Sequence, residues 1–193
     1  VSKVILDLCG GTGAWSKPYK DAGYDVRIIT LPEYDVTEIE NLSNDWLNSY
    51  GILAAPPCTK FSLAAGKKLK DRDTTEGLEI VNACLKIIWE CKPKFWALEN
   101  PVGYMRRFLG KPAFTFKQWE FGDMGIKPTD LWGYFNEPRK SIKSRPLKDS
   151  LLYISAGCSS RRKCRPKGVD YTGSVKAAIT PQGFAKAFYE ANK

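Results

Sequence analysis

The 193-residue sequence contains no histidine. Mechanisms that rest on an imidazole base, and metal sites that rest on histidine ligands, are thereby excluded. No run of about 18 consecutive apolar residues occurs either, so no membrane-spanning helix is expected. The N-terminal VSKVILDLCGG turns polar and glycine-rich before a hydrophobic core of secretory length accumulates. Six cysteines without such a signal read as reduced thiols, which makes the expected compartment cytoplasmic.

What is present is an ordinary globular composition, 43% hydrophobic and 26% charged, on a chain long enough for one good core. Thirty Lys+Arg against 21 Asp+Glu give a net charge of +9, and the excess is unevenly placed. Residues 1–136 hold 17 basic and 17 acidic side chains, whereas the last 57 residues hold 13 and 4. A neutral body with a basic extension suits a polyanionic partner; the alternative is a merely solvated basic face.

Strand and helix signals alternate along the body. Val4–Leu8 is a short apolar strand, broken by Gly10, Gly11 and Gly13 before a helix that ends near Gly23, and residues 24–31 read as a second strand. A third strand-like piece covers 34–36, a helix 38–49, and another strand 51–55, stopped by Pro56 and Pro57. Asp73 followed by Glu76 has the form of a capping box, and Ile80, Ala83, Cys84, Ile87, Ile88 and Cys91 recur at helical spacing behind it. FWALEN at 95–100 is a further strand, and 114–121 and 130–135 form a pair of antiparallel type at a sheet edge. The pattern argues for a doubly wound α/β sheet. Residues 1–135 are expected to be the main domain, 136–175 a short basic region, and 176–193 a helix returning to the body with Phe184, Ala187 and Phe188 on one side.

Three places carry chemistry. GGTG follows an apolar strand, where glycines allow close backbone approach to a nucleotide-like ligand; a plain tight turn is the other reading, since no GxGxxG fingerprint is completed. Asp7, a carboxylate within the strand before it, favours a site, because burying it unpaired is costly. Cys58 in AAPPCTKFS sits on a stiff backbone at a strand's carboxyl end, where open α/β sheets place ligands, with Lys60 and a basic loop beside it; otherwise it is a small hydrophobe. Glu99 in WALENP ends an apolar strand, where burial would keep a proton on it for donation to a ring nitrogen. Its other reading is a helix cap or a partner for Arg106 or Arg107. Cys84 and Cys91 belong to a helix face, and Cys158 and Cys164 lack further ligands, so no metal is expected.

Together these motifs resemble those of the cytosine-5 DNA methyltransferases, and more closely their short bacteriophage and prophage forms. DLCGGTGAW at 7–15 resembles the family's first motif, APPCTKFS at 55–62 its nucleophile motif, and PKFWALENPVG at 93–103 its glutamate motif, in family order. The resemblance implies a mostly parallel, seven-stranded methyltransferase sheet with an antiparallel edge hairpin. It implies S-adenosyl-L-methionine as cofactor, held by Asp7, Gly11, Gly13, Trp15, Asp35 and Pro56. It implies Cys58 as the nucleophile toward carbon 6 of cytosine, with Glu99 at ring nitrogen 3. The implied partner is double-stranded DNA with the target cytosine flipped out, in a bacterial host, and its implied grips are Lys60, Lys67, Lys68, Lys70, Arg161, Arg162, Lys163 and Arg165. An RNA substrate, or a non-catalytic nucleic-acid-binding module, are the competing expectations.

The sequence also departs from the family pattern. Thr59 replaces the usual glutamine, Cys9 the usual phenylalanine, and Thr30, Leu31 and Pro32 stand where a ribose-binding carboxylate is expected, leaving Glu33 displaced. No Gln-x-Arg motif occurs, which leaves Lys127 or Thr129 in its place, and 136–175 is far shorter than a usual target-recognition domain.

Overall fold

The computed structural model describes residues 2–39, 42–63, 68–145 and 179–193. Six strands form one sheet: β1 (Val4–Leu8), β2 (Asp25–Ile29), β3 (Gly51–Ala54), β4 (Phe95–Pro101), β5 (Phe114–Lys117) and β6 (Pro128–Tyr134). Their spatial order is β2-β1-β3-β4-β6-β5. The first four run parallel, and β6 and β5 add an antiparallel edge.

Parallel strands covered on both faces need apolar side chains in both directions, and β1 and β3 meet that need. Leu6, Leu8, Ile52, Ala54 and Leu98 pack against Val81, Cys84, Ile87, Ile88 and Cys91 of the helix α3 (Thr75–Cys91). On the opposite face Ile5, Leu53, Ala97 and Leu131 meet Trp15, Tyr19 of α1 (Lys17–Asp21), and Phe184 and Phe188 of the C-terminal helix. That helix follows the short α2 (Asn44–Leu47) and α4 (Arg106–Leu109) and is α5 (Gln182–Asn192).

Specific contacts fix α5 to the body. The Asp123 carboxylate accepts from the backbone N–H groups of Gly183 and Phe184, both at 2.9 Å, and so satisfies donors that a helix start leaves open. At the other end the Asn192 side chain accepts from Asn136 N at 2.8 Å and donates to its carbonyl at 3.0 Å. The start of the basic region is therefore held against the C-terminal end of α5; residues 146–175 lie outside the described residues.

Four expectations are corrected. The sheet has six strands among the described residues rather than seven, because residues 34–36 do not pair. There the Asp35 carboxylate accepts from the N–H and hydroxyl of Thr37, at 2.8 and 2.6 Å, closing a 3-10 turn (Val36–Glu38) instead. The long helix expected over 38–49 is reduced to α2 among the described residues. Likewise β5 stops at Lys117, since the Glu120 side chain folds back to accept from Lys117 N at 2.6 Å and winds Gln118–Phe121 into a 3-10 turn. The expected capping box does not form: Thr74 rather than Asp73 is the N-cap, Asp73 accepts from Thr75 N at 3.0 Å, and Glu76 pairs with Lys60 at 3.1 Å. No helix among the described residues is long and apolar enough to cross a membrane.

Candidate active site

The carboxyl ends of β1, β3 and β4 lie side by side, so the residues that follow them converge. Beyond β3 the chain continues one residue in sheet register, with Ala55 N donating to Leu8 O at 2.9 Å, and then meets the two prolines. Pro56 is buried, and its carbonyl accepts from Asn100 Nδ2 at 3.0 Å. The chain then turns over Cys58, whose carbonyl accepts from Phe61 N at 3.0 Å and Ser62 N at 2.8 Å.

Phe61 is fully buried and locks this turn to the segment beyond β4. Its carbonyl accepts from Tyr104 N at 2.9 Å, and Ser62 and Gly103 form a bridge. Gly103 is required there, because a Cβ would run into the Phe61 carbonyl oxygen. The cysteine turn and the glutamate strand are thus tied by Asn100 on one side and Gly103 on the other.

Glu99 is half-buried on the same sheet face as Phe116, Thr129 and Phe184, in a narrow cleft that Gln118 and Lys127 also line. Burial pushes its carboxyl above the usual range; the Lys127 cation opposes this and Asp130 adds to it. Asp130 is itself fully buried and accepts from Arg106 Nε and from its second guanidinium nitrogen, both at 2.7 Å, and from Thr115 Oγ1 at 2.7 Å. Arg106 is therefore engaged with Asp130. Burial also raises the Cys58 thiol, against the pull of Lys127, with Glu99 adding a further upward push. One cation thus acts on both candidate catalytic groups. The arrangement provides a thiol and a carboxyl group that burial inclines to hold their protons, with the Lys127 cation opposing both shifts.

The glycine turn is built around Asp7. This carboxylate is fully buried and accepts from Ser16 Oγ at 2.5 Å, while its second oxygen has no partner in the protein. Burial pushes its pKa up to about 6. A Cβ on Gly10 would land on that carboxylate. Cys9, Gly11 and Gly13 all adopt left-handed backbone, with φ of 56°, 53° and 69°. Space is open beside Gly11. Asp35, half-buried, is held below the ordinary carboxylate range by its bonds to Thr37. The charges of both Asp7 and Asp35 are felt at Cys9, which places them around one turn. Trp15 faces the interior: it is 2% exposed and packs on Phe184 and Phe188, with ring centroids 5.8 and 5.4 Å away.

Of the expected DNA grips, Lys60 pairs with Glu76, and Lys68 and Lys70 are exposed. Lys67, Arg161, Arg162, Lys163 and Arg165 lie outside the described residues. Sequence reasoning missed Asn100 and the Asp130–Arg106–Thr115 network. Asn100, the polar residue after Glu99 in an apolar strand, was the signal available for the first; the second depends on strand register. Among the described residues no group of three or more histidine, cysteine or carboxylate side chains could hold a metal ion.

The model of the family described as C-5 cytosine-specific DNA methylase matches residues 14–115, just over half of the chain and including Cys58 and Glu99. An E. coli protein of solved structure, described as a candidate DNA modification methyltransferase encoded within a prophage, is similar with a TM-score of 0.55 at 17% identity. The similarity covers 77% of this chain and 54% of that one, so this chain spans about half the length of that protein. At that identity the likeness concerns the fold. No curated protein sequence matches the chain.

Proposed function

Because the chain belongs to the C-5 cytosine-specific DNA methylase family, we propose that it methylates carbon 5 of cytosine in DNA, with Cys58 as covalent nucleophile and Glu99 as proton donor. The observation that carries this reading is the pairing of the Cys58 turn with the Glu99 strand, both under the influence of Lys127. The sheet, six-stranded among the described residues and with helices on two faces, fits a doubly wound methyltransferase fold.

Carbon 5 of cytosine is a weak nucleophile. Attack of the Cys58 thiolate on carbon 6 forms a C–S bond and moves the ring electrons toward nitrogen 3, where Glu99 delivers its proton. Carbon 5 then becomes nucleophilic. Lys127 offers a positive charge to the thiolate before attack and to the Glu99 carboxylate after proton transfer. Once carbon 5 carries the transferred methyl group and gives its proton to a base, the C–S bond breaks, the thiolate is released and nitrogen 3 returns its proton to Glu99. Such access to carbon 6 requires the base outside the duplex, at a cost of about a few kcal/mol, and the exposed Lys68 and Lys70, later in the same segment of chain, would serve as grips on the displaced strand.

The donor implied by the family is S-adenosyl-L-methionine, which supplies an electrophilic methyl group when bound. The turn fits such a ligand: it combines open space beside Gly11, an unpartnered Asp7 oxygen and an Asp35 carboxylate kept ionised. Gly11, Gly13, Asp35 and Pro56 would border it, Asp7 would shape the turn through Ser16, and Trp15 would brace it from the core.

The test is transfer of label from S-adenosylmethionine to cytosine in DNA, read together with bisulfite sequencing of DNA from cells expressing the chain. Wild type should modify carbon 5, Cys58→Ala should not, and Glu99→Gln should be strongly impaired. Label that appears in RNA and not in DNA would transfer the reading to RNA. Binding of S-adenosylmethionine without transfer to any nucleic acid would overturn it.

A further inference from the structure

The sheet has a second functional candidate at its other end, where β4 begins and β6 finishes. Trp89, on the last turns of α3, is 78% exposed, and Tyr134, the last residue of β6, is 74% exposed. Both line a groove of 740 Å³, floored by Leu85, Ile88 and Trp96. On its far side Tyr134 also walls a second hollow of 270 Å³, shared with Tyr50 and Lys94. Large exposed rings in one continuous hollow surface are unusual on a protein with no use for them.

Cations surround these rings. Lys86 and Lys92 line the groove, and Lys94 lines the neighbouring hollow. Lys3 lies 4.0 Å from the Tyr50 ring centroid, and Lys94 lies 5.6 Å from it. Two carboxylates nearby are engaged, Glu90 loosely with Lys86 at 3.9 Å and Glu190 with Lys193 at 2.7 Å. Lys92 and Lys94 form no ion pair among the described residues. Lys92 ends α3 in left-handed backbone with φ of 47°, a position where glycine costs less, so a lysine is held there at the expense of local strain.

We propose that this surface binds single-stranded nucleic acid, with unpaired bases stacked on Trp89 and Tyr134 and the backbone phosphates against Lys86, Lys92 and Lys94. Aromatic faces within a cationic groove are the chemistry that grips single strands without reading sequence. A duplex offers no free base faces to these rings. A second copy of the chain, packed about a two-fold axis here, would bring the lysines of one copy against those of the other. The site lies at the strand ends opposite Cys58 and Glu99, so it stands or falls independently of the methyl-transfer reading.

The experiment is equilibrium binding of a fluorescent thymidine decamer, which contains no cytosine, to the full chain at two salt concentrations. Trp89→Ala/Tyr134→Ala should weaken binding at least tenfold. Lys92→Glu/Lys94→Glu should weaken it and flatten its salt dependence. Both variants replace exposed side chains and should keep the wild-type melting temperature and Cys58 adduct formation on a short duplex. Unchanged decamer affinity in both variants overturns the proposal. So does a wild-type dimer that the ring variant dissociates in sedimentation, which would assign the surface to a second copy. Loss of methyl transfer with decamer binding intact would remove the catalytic reading alone.

Discussion

Asp7 makes the most quantitative prediction. Its carboxylate is fully buried, keeps one oxygen without a partner, and has its pKa raised from 3.8 to about 6. In the pH range between those values the folded protein binds a proton that the unfolded chain has released. Stability therefore falls as pH rises through this window, and the full penalty is present above pH 6. A shift of about two units corresponds to about 3 kcal/mol. Asp7→Asn keeps the shape and an oxygen to accept from Ser16 but carries no charge. The variant should gain most of that 3 kcal/mol over wild type at pH 7.5 and far less at pH 4. At about 2–4 °C per kcal/mol for a chain of this size, the gain at neutral pH is up to about 6–12 °C in Tm. Urea titrations of both proteins at the two pH values measure it. An Asp7→Asn advantage that does not change with pH would refute the claim that a buried charge is the cause.

Other consequences follow from single contacts. Lys127→Met should slow alkylation of Cys58 by iodoacetamide at neutral pH and move its pH profile upward, whereas Lys127→Arg should restore it, because the cation acts on the thiol by charge. Asn100→Ala orphans the Pro56 carbonyl and should cost about 1–3 kcal/mol in urea unfolding, together with methyl transfer, since the cysteine turn loses a tie. Asp123→Ala removes both acceptors at the start of α5 and should destabilise by about 1–2 kcal/mol, with faster amide exchange in that helix as the readout. Gly103→Ala should impair transfer at unchanged cofactor affinity, because its methyl group displaces the Phe61 carbonyl and with it the Cys58 turn.

Much of this arrangement was legible in the residues. The strands VILDL and GILA and the helix behind Asp73 declare themselves through unbroken or periodic apolar positions, and burial on both sheet faces explains why. Cys58 and Glu99 were visible as polar residues ending such strands. What escaped depends on side chains bonding to nearby backbone: Asp35 closing a turn in place of a strand, and Glu120 ending β5 early. Contacts set by strand register escaped as well. Lys127 reaches Glu99 because β6 returns antiparallel beside β4, pairing Pro101 with Thr129 and Glu99 with Leu131. Trp15 reads as a ligand-facing aromatic in its motif, yet the aromatic face of α5, distant in sequence, places its ring in the core.

The central claim is that the Cys58 sulfur bonds to the target base. Incubation with duplex DNA carrying 5-fluorocytosine, in the presence of S-adenosylmethionine, tests this most directly, because fluorine blocks release of the sulfur. The account predicts a denaturation-resistant protein–DNA adduct that mass spectrometry maps to Cys58, absent in Cys58→Ala and diminished in Glu99→Gln. No adduct from protein with bound cofactor, or an adduct that survives Cys58→Ala, would contradict it.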